Sequence, residues 1–175
     1  MSTLSRRSFL GVLAAPAIIP SSVFGADPPS EKIHIGMIGM GRQARYANVK
    51  PFLHSKDTRV VAVCDVDAWR LGEAKKLVDE HYGNAECAAT KDFREVIGMK
   101  GMDAVMVSTP DHWHIPIAVA AVRAGLDVSC EKPLTLSIHE GRVLSDAVKR
   151  YGRVFRTDSE FRSGATFRRA CELVR

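Results

Sequence analysis

The sequence of 175 residues contains few cysteines, and none of them has the spacing of a metal site. The four cysteines are Cys64, Cys87, Cys130 and Cys171, and no C-x-x-C pair occurs. This pattern argues against a disulfide framework and against a zinc module. Cys64 and Cys130 end apolar runs that indicate buried strands, so we expect them to be small core residues.

The sequence also lacks a strong excess of one charge. Lysine and arginine total 25 and aspartate and glutamate total 20, which gives a net charge of +5. Arg6 and Arg7 lie in an N-terminal leader, so the body of the chain carries only about +3. A charge this small predicts no nucleic-acid partner. The hydrophobic content of 46% is that of an ordinary globular chain with one core of normal size.

No apolar run is long enough to span a bilayer, so we predict no membrane span. The apolar run over residues 9–20 follows a twin-arginine pattern, SRRSFL, at residues 5–10. An arginine pair, a short apolar run and small residues at 23–26 are typical of an export signal. We expect residues 1–26 to be a twin-arginine signal peptide and residues 27–31 to be a linker. The expected location is periplasmic, or cytoplasmic if the leader is not processed.

A glycine-rich turn follows the first predicted strand, 33–38. The turn has the pattern Gly-x-Gly-x-x-Ala, and a helix-compatible segment follows it. The first glycine permits a sharp turn, and the second lets a pyrophosphate approach the backbone. Unpaired N–H groups at the start of a helix favour the phosphate charge. The candidate cofactor-binding residues of this turn are Gly39, Gly41, Arg42, Gln43 and Ala44.

A carboxylate follows the second predicted strand, 59–64. Asp65 comes 21 residues after Ala44 and directly after an apolar run. An acid at this position accepts hydrogen bonds from the adenosine ribose and repels a 2′-phosphate. Strand, glycine turn, helix, strand and acid in this order form a dinucleotide-binding fingerprint. The sequence therefore predicts NAD as the cofactor, with NADP less favoured.

Strand and helix patterns alternate along the rest of the chain. They predict an α/β fold, a doubly wound parallel sheet (Rossmann fold) with strand order 3-2-1-4-5-6, over residues 32–157. Ser137 and Glu140 predict a capping box at the start of the last helix of this unit. The predicted strands are 33–38, 59–64, 86–89, 103–107, 127–130 and 153–156, and the predicted helices are 42–55, 67–82, 91–99, 115–124 and 137–150.

Two unusual loops follow the fourth and fifth predicted strands. The fourth strand ends in STPDHWH at residues 108–114, and the fifth ends in CEKPL at residues 130–134. With the glycine turn and Asp65, these loops resemble the glucose–fructose oxidoreductase/inositol dehydrogenase/MocA (Gfo/Idh/MocA) family. In that family the fourth strand ends in Thr-Pro-(Asn/Asp)-x-x-His and the fifth in Glu-Lys-Pro. The resemblance extends from about residue 32 to the last residue.

The resemblance implies an NAD(P)-dependent oxidoreductase that transfers hydride between a nicotinamide cofactor and a sugar, polyol or derivative. Lys132 would be its catalytic residue, because an ammonium beside the substrate hydroxyl stabilises the alkoxide that forms as hydride leaves. Lys132 and Glu131 would also contact the cofactor, with Glu131 bonding the nicotinamide ribose. Pro133 would fix the backbone that aims Lys132. The residues implied along the nicotinamide ribose are Ser108, Thr109, Pro110 and His114.

His112 and His114 form an H-x-H pair that could suggest a metal site. No third cluster of ligands accompanies the pair, so we predict no metal. We expect His114 to contact the ribose or to begin a helix. His112 and Trp113 are expected to shape the rim of the cleft.

Members of the family have a second α/β domain that binds the sugar, supplies further catalytic side chains and usually forms the oligomer interface. Residues 158–175 are expected to begin that domain in a helix without a terminal cap, which suggests a truncated product. Two interpretations stay open: an oxidoreductase, and an isolated NAD-binding module that catalyses nothing. A dihydrodipicolinate-reductase-like enzyme is a more distant third, against which the two loops argue.

Overall fold

The structure, a computed structural model, describes residues 32–159 and 164–175, so the expected signal peptide and linker lie outside the described residues. No helix in these described ranges has the length and apolar character needed to cross a membrane. The strands are β1 (Ile33–Ile38), β2 (Thr58–Cys64), β3 (Ala88–Thr90), β4 (Ala104–Val107), β5 (Asp127–Cys130) and β6 (Phe155–Thr157). The helices are α1 (Val49–His54), α2 (Ala68–Tyr82), α3 (Phe93–Ile97), α4 (His114–Arg123), α5 (Ile138–Tyr151) and α6 (Ala165–Val174).

All six strands are parallel and lie in the order β3-β2-β1-β4-β5-β6. This is the predicted order, and the doubly wound Rossmann-type fold is confirmed. The strand starts differ most from the prediction at β3 and β6, which begin two residues later than predicted. Both are edge strands, paired on one side only, so sequence pattern defines their ends least well.

The sheet separates two hydrophobic cores. Neighbouring residues of β1 divide between them, because successive side chains of a strand point to opposite faces. Ile38 packs in the core that contains residues of α4 and α5, whereas Met37 packs with residues of α1 and α2. Helix α2 faces the second core, with Ala74 and Val78 fully buried.

Side-chain caps begin several of the helices. Ser137 Oγ accepts a hydrogen bond from the Glu140 N–H at 3.3 Å, and Glu140 Oε2 accepts one from the Ser137 N–H at 3.2 Å. The predicted capping box of α5 is therefore confirmed. Asp92 caps α3 in a similar way, and the hydrogen bond from the Arg94 N–H holds the pKa of Asp92 below its usual range.

The first helical segment is less regular than the predicted α-helix. Residues 42–54 are helical throughout, but Ala44–Asn48 is a π-helical segment that precedes α1, and the Val49 N–H donates to Ala44 O. Pro51 lies within α1 and offers no N–H donor to the helical ladder. The helix passes the proline with one widened turn, a geometry found at kinks and at functional sites.

Three of the four cysteines are core residues, as predicted for Cys64 and Cys130. Cys64, Cys87 and Cys130 are buried and Cys171 is exposed, and all four are free thiols. Burial raises the pKa of Cys64 and of Cys130 to about 12, and that of Cys87 to about 11. Thiols with such pKa values stay protonated at neutral pH and are poor nucleophiles.

Candidate functional site

The carboxyl ends of the strands form one aligned row. The register pairs Ile38 with both Cys64 and Val107, and it pairs Val107 with Cys130. The ladder continues one residue further, because the residue after each of these strands donates its N–H to the last carbonyl of a neighbouring strand, at 2.8 to 3.3 Å. The residues placed in this row are Gly39, Asp65, Ser108, Glu131 and Asp158. Four of the five are predicted site residues.

The two glycines of the turn have different surroundings. Gly39 has a φ of +86°, and a Cβ there would lie 2.7 Å from backbone atoms of Ser108 and Thr109. Glycine is required because both the left-handed conformation and the close approach exclude a side chain. A Cβ on Gly41 would meet nothing within 4 Å, so the space in front of it is open. That open space lies at the start of the first helical segment, where N–H groups lack intrahelical acceptors.

The Asp65 side chain holds the backbone of the glycine turn by hydrogen bonds. This side chain is almost entirely buried, with the residue 8% exposed. Oδ2 accepts a hydrogen bond from the Met40 N–H at 2.7 Å, and Oδ1 accepts one from the Asp67 N–H at 2.9 Å. Each carboxylate oxygen has a second lone pair, so Asp65 can still accept bonds from a ligand. The carboxylate therefore fixes the backbone of the turn and lines the cleft beside it.

A cleft of about 750 Å³ runs along the carboxyl ends of β1, β2 and β4. Two observations show that the residues of this cleft suit a dinucleotide. Gly41 leaves open space against the backbone, and the buried Thr109 Oγ1 has no hydrogen-bond partner among the described residues. Basic side chains suit the pyrophosphate charge. The lining includes Gly39, Gly41, Arg42, Gln43, Asp65, Arg70, Lys91, Arg94, Ser108, Thr109 and Pro110.

Aromatic side chains form part of the wall of this cleft. Phe93 at the start of α3 lies 6.1 Å from Trp113, measured between ring centroids, and both rings line the cleft with His112. His112 and Trp113 thus lie where rim residues were expected.

His114 lies behind the wall and not in the cleft. The side chain is buried, with the residue 1% exposed. Its Nδ1 lies 2.8 Å from the carbonyl oxygen of Pro133, and its Nε2 lies 2.9 Å from the carbonyl oxygen of Thr109. His114 begins α4, as expected, and ties the loop after β4 to the loop after β5. Neither ring nitrogen faces open space, and the described residues contain no group of three or more potential metal ligands.

Glu131 is held by a network of amide donors. The residue is 6% exposed, and its Oε1 accepts hydrogen bonds from Asn48 Nδ2 at 2.8 Å and from Gln43 Nε2 at 3.3 Å. Its Oε2 accepts one from the Lys132 N–H at 3.1 Å. Asn48 Nδ2 also donates to Ser108 Oγ at 2.9 Å. These bonds join the first helical segment to the ends of β4 and β5.

A second cleft, of about 600 Å³, shares Gln43 with the first. Gln43 lines both clefts, and Glu131 lines only the second. Asp158, which follows β6, also lines it and accepts a hydrogen bond from Ser129 Oγ at 3.1 Å. Lys132 is exposed next to Glu131, and the Lys132–Pro133 peptide is cis.

The structure therefore brings most of the predicted site residues to one edge of the sheet, but in three settings. The residues that line the first cleft are Gly39, Gly41, Arg42, Gln43, Asp65, Ser108, Thr109 and Pro110. Glu131 and Lys132 lie at the end of β5 in the neighbouring region. Ala44 and His114 are buried supports, with Ala44 packed under the turn.

Sequence reasoning missed Asn48 and Asp158. Asn48 is one polar residue in a helical segment, and nothing in the local pattern shows that a π turn buries it against Glu131. Asp158 offers a weak signal, because it follows the sixth predicted strand as Asp65 follows the second. The rule that strand ends meet at one edge would have included it.

Comparison with protein families agrees with this geometry. The model of the Gfo/Idh/MocA family, described as an oxidoreductase family with an NAD-binding Rossmann fold, matches residues 33–159. The chain belongs to the Gfo/Idh/MocA oxidoreductase family. The resemblance inferred from the three motifs is confirmed, and so is a nucleotide-binding fold of the NAD(P) type.

Individual relatives extend this comparison. A protein of Stenotrophomonas maltophilia named glycosyl hydrolase family 109 protein is 31% identical over 141 residues, which are 75% of this chain and 30% of that protein. The chain thus spans about a third of the length of the curated relatives it matches.

Two solved structures show the same fold. The myo-inositol 2-dehydrogenase of Lactobacillus plantarum matches with a TM-score of 0.73 and 24% identity over 82% of this chain and 41% of that chain. The 3-ketoreductase KijD10 of Actinomadura kijaniata, solved with NADP and TDP-benzene, matches with a TM-score of 0.72 and 22% identity over 82% of this chain and 42% of that chain.

Proposed function

We propose that this chain is the cofactor-binding part of an NAD(P)-dependent dehydrogenase that acts on a sugar, a polyol or a derivative of either. The observation that carries the proposal is the strand-end row, which aligns the glycine turn, Asp65, Ser108 and Glu131 at one edge of the sheet. Family membership supports the reaction class, and relatives named for inositol and for glycosides support a polyhydroxylated substrate.

Each part of the row would contact a different part of the cofactor. The backbone at Gly41 and the start of the helix would hold the pyrophosphate, because no side chain intervenes there. Asp65 would accept hydrogen bonds from the adenosine ribose. The hydroxyl of Thr109, which none of the described residues bonds, would bond on the nicotinamide side. Glu131 would bond the nicotinamide ribose. When bound, the nicotinamide ring supplies the hydride chemistry.

Lys132 would act on the substrate oxygen. Oxidation of a hydroxyl to a carbonyl removes a hydride from carbon and a proton from oxygen. The ammonium of Lys132 hydrogen-bonds this oxygen, stabilises the alkoxide charge that develops on it, and helps its proton pass to solvent. The backbone of Lys132 is held for this task, because its N–H donates to the buried Glu131.

We propose that NAD is preferred over NADP. Asp65 places a negative charge at the end of β2, where it would meet the 2′ position of the adenosine ribose. Its two hydrogen bonds from backbone N–H groups keep it at that position. The basic residues of the cleft would instead attract the 2′-phosphate of NADP. The measured ratio of the two affinities shows whether Asp65 or these basic residues have the larger effect.

The first test is calorimetric titration of the chain with NAD⁺, NADP⁺ and ADP. We expect NAD⁺ to bind about tenfold more tightly than NADP⁺, and Asp65→Asn to reduce this ratio to near one. Asn at 65 retains one acceptor for the Met40 or Asp67 N–H and sets its NH₂ group against the other, so retained ADP binding serves as the control that the variant is folded. A folded wild-type chain that binds none of the three ligands would contradict the proposal.

The second test separates the enzyme from a non-catalytic NAD-binding module. Reduction of NAD⁺ is followed by absorbance with a panel of sugars and polyols. An enzyme reduces NAD⁺ with at least one of them, and Lys132→Met lowers the rate about a hundredfold while NAD⁺ affinity changes little. A module binds NAD⁺ and reduces none with any member of the panel.

Cleavage of a glycosidic bond is a second candidate, because the Stenotrophomonas maltophilia relative bears a glycosyl hydrolase name. Hydrolysis leaves the oxidation state of the sugar unchanged, so it produces no net NADH. Release of the chromophore from a chromogenic glycoside without net NADH would favour this candidate. Stoichiometric NADH from a free polyol would favour the dehydrogenase.

We propose a periplasmic location after twin-arginine export. The support is the SRRSFL pattern at residues 5–10 and the apolar run that follows it. Fractionation of cells that express the chain tests this proposal, and Arg6→Lys with Arg7→Lys should retain the protein in the cytoplasm.

A further inference from the structure

We propose that Asn48 is a positioning residue for the nicotinamide half of the cofactor site, acting through Glu131. The inference rests on the proposed function, because it assigns a role within that same site. Asn48 lies on the π-helical segment, outside every motif in the sequence, and its side chain makes two of the bonds that connect the first helical segment to the two strand ends.

The donor count of the Asn48 amide supports this role. Nδ2 carries two hydrogens and has two acceptors, Glu131 Oε1 at 2.8 Å and Ser108 Oγ at 2.9 Å. The carboxylate fixes the orientation of the amide, since only the NH₂ group can donate to it. One nitrogen therefore links the ends of β4 and β5, which are separated from Asn48 by 60 and 83 residues in sequence.

Burial makes the link consequential. Asn48 is 8% exposed and Glu131 is 6% exposed, so water cannot readily replace a lost bond. A buried carboxylate requires donors, and within the described part of the chain Oε1 of Glu131 has one other donor, Gln43 Nε2 at the longer distance of 3.3 Å. Without Asn48, the carboxylate would turn toward solvent or recruit Lys132 as its partner. Either change moves the loop that carries the catalytic lysine.

The π-helical segment explains why this residue reaches the site. The widened turn ends at Asn48, and it places Ala44 and Asn48 on the buried side of the helix. Ala44 packs beneath the glycine turn, whereas Asn48 faces the nicotinamide side. The same turn therefore contributes to the adenosine half and to the nicotinamide half of the site. A substitution at Asn48 should affect only the nicotinamide half.

The test compares ADP with NAD⁺, because ADP reaches only the adenosine and phosphate contacts. We expect Asn48→Leu to leave ADP affinity within about twofold of the wild type and to weaken NAD⁺ binding about tenfold. Tyr46→Leu, an exposed change on the same π-helical segment, should alter neither affinity. Retained ADP binding shows that a variant is folded. If Asn48→Leu fails to bind ADP, Asn48→Ser gives a smaller perturbation with the same expected selectivity.

A double-mutant cycle distinguishes positioning from general support of the fold. In a Glu131→Ala background, Asn48→Leu should weaken NAD⁺ binding by less than about twofold, because the group on which it acts is gone. A full tenfold loss in that background, or equal losses for ADP and NAD⁺, would overturn the inference. A wild-type chain that binds NAD⁺ no better than ADP would instead contradict the proposed function.

Discussion

The two halves of the cofactor site are built by different means. The adenosine half uses backbone: the glycine turn, the start of a helix, and a carboxylate that accepts hydrogen bonds from the Met40 and Asp67 N–H groups. The nicotinamide half uses side chains that meet across the sheet, with Asn48, Ser108 and Glu131 in one network. A backbone site depends on a short local motif, whereas a side-chain network depends on tertiary packing. The halves should therefore respond differently to substitution.

Gly39 is where the halves touch, so its substitution should have the largest effect. We expect Gly39→Ala to destabilise the chain by roughly 2–4 kcal/mol, because it combines a left-handed backbone with a clash against Ser108 and Thr109. Gly41→Ala is the matched control, since its Cβ meets nothing within 4 Å. Gly41→Ala should keep full stability in urea denaturation and weaken ADP and NAD⁺ binding alike. Equal stability losses for the two variants would contradict this comparison.

His114 should be the second most sensitive position. His114→Leu removes the contacts to the carbonyl oxygens of Thr109 and Pro133, which lie 2.9 and 2.8 Å from the ring nitrogens. We expect a loss of roughly 2 kcal/mol in the free energy of unfolding, because a neutral imidazole donates its one N–H to one of these buried carbonyl oxygens, and leucine leaves that acceptor without a donor. NAD⁺ binding should weaken more than ADP binding. His139→Leu, an exposed change on α5, should alter none of these quantities. If ADP binding weakened more than NAD⁺ binding, the assignment of His114 to the nicotinamide half would be contradicted.

Ser137 should affect stability without affecting either half. Ser137→Ala breaks the capping box of α5, whose two hydrogen bonds join Ser137 only to Glu140, and should cost about 1 kcal/mol. Thermal or urea unfolding measures the loss, and calorimetry should return unchanged affinities for ADP and NAD⁺. Selective loss of one ligand would mean that α5 supports that half of the site.

The buried thiols at the strand ends have the smallest expected effect on stability. The effect should be equal for Cys64 in the adenosine half and for Cys130 in the nicotinamide half. The folded-state pKa of Cys64, at the end of β2, and of Cys130, at the end of β5, is raised to about 12 from an ordinary value of 9.0. The unfolded chain therefore releases these protons first, and stability falls as pH rises above 9.

At pH 9.5 the expected loss is below about 1 kcal/mol per thiol. Urea unfolding of Cys64→Ala and of Cys130→Ala across this range should show a shallower pH dependence than the wild type. An unchanged slope in both variants would show that the thiols are not the groups responsible.

The same contrast explains how much the sequence predicts. The sheet order, the glycine turn, Asp65 and the capping box of α5 all follow from local patterns with a fixed backbone geometry. The π-helical segment does not, because an irregular turn near Pro51 leaves no periodic signal. Asn48 and its bonds to Ser108 and Glu131 depend on residues at least 60 positions apart. The burial of His114 was missed for the same reason: a motif identifies the residue but not what its ring contacts.

Amide NMR of the 175-residue chain, titrated first with ADP and then with NAD⁺, tests the central claim most directly. We predict that ADP shifts the amides of residues 39–44 and of Asp65. NAD⁺ should shift these and also the amides of Ser108, Thr109, Glu131 and Lys132. If NAD⁺ shifts only the set that ADP shifts, or if the glycine turn does not respond, the account of one cofactor site built in two halves is wrong.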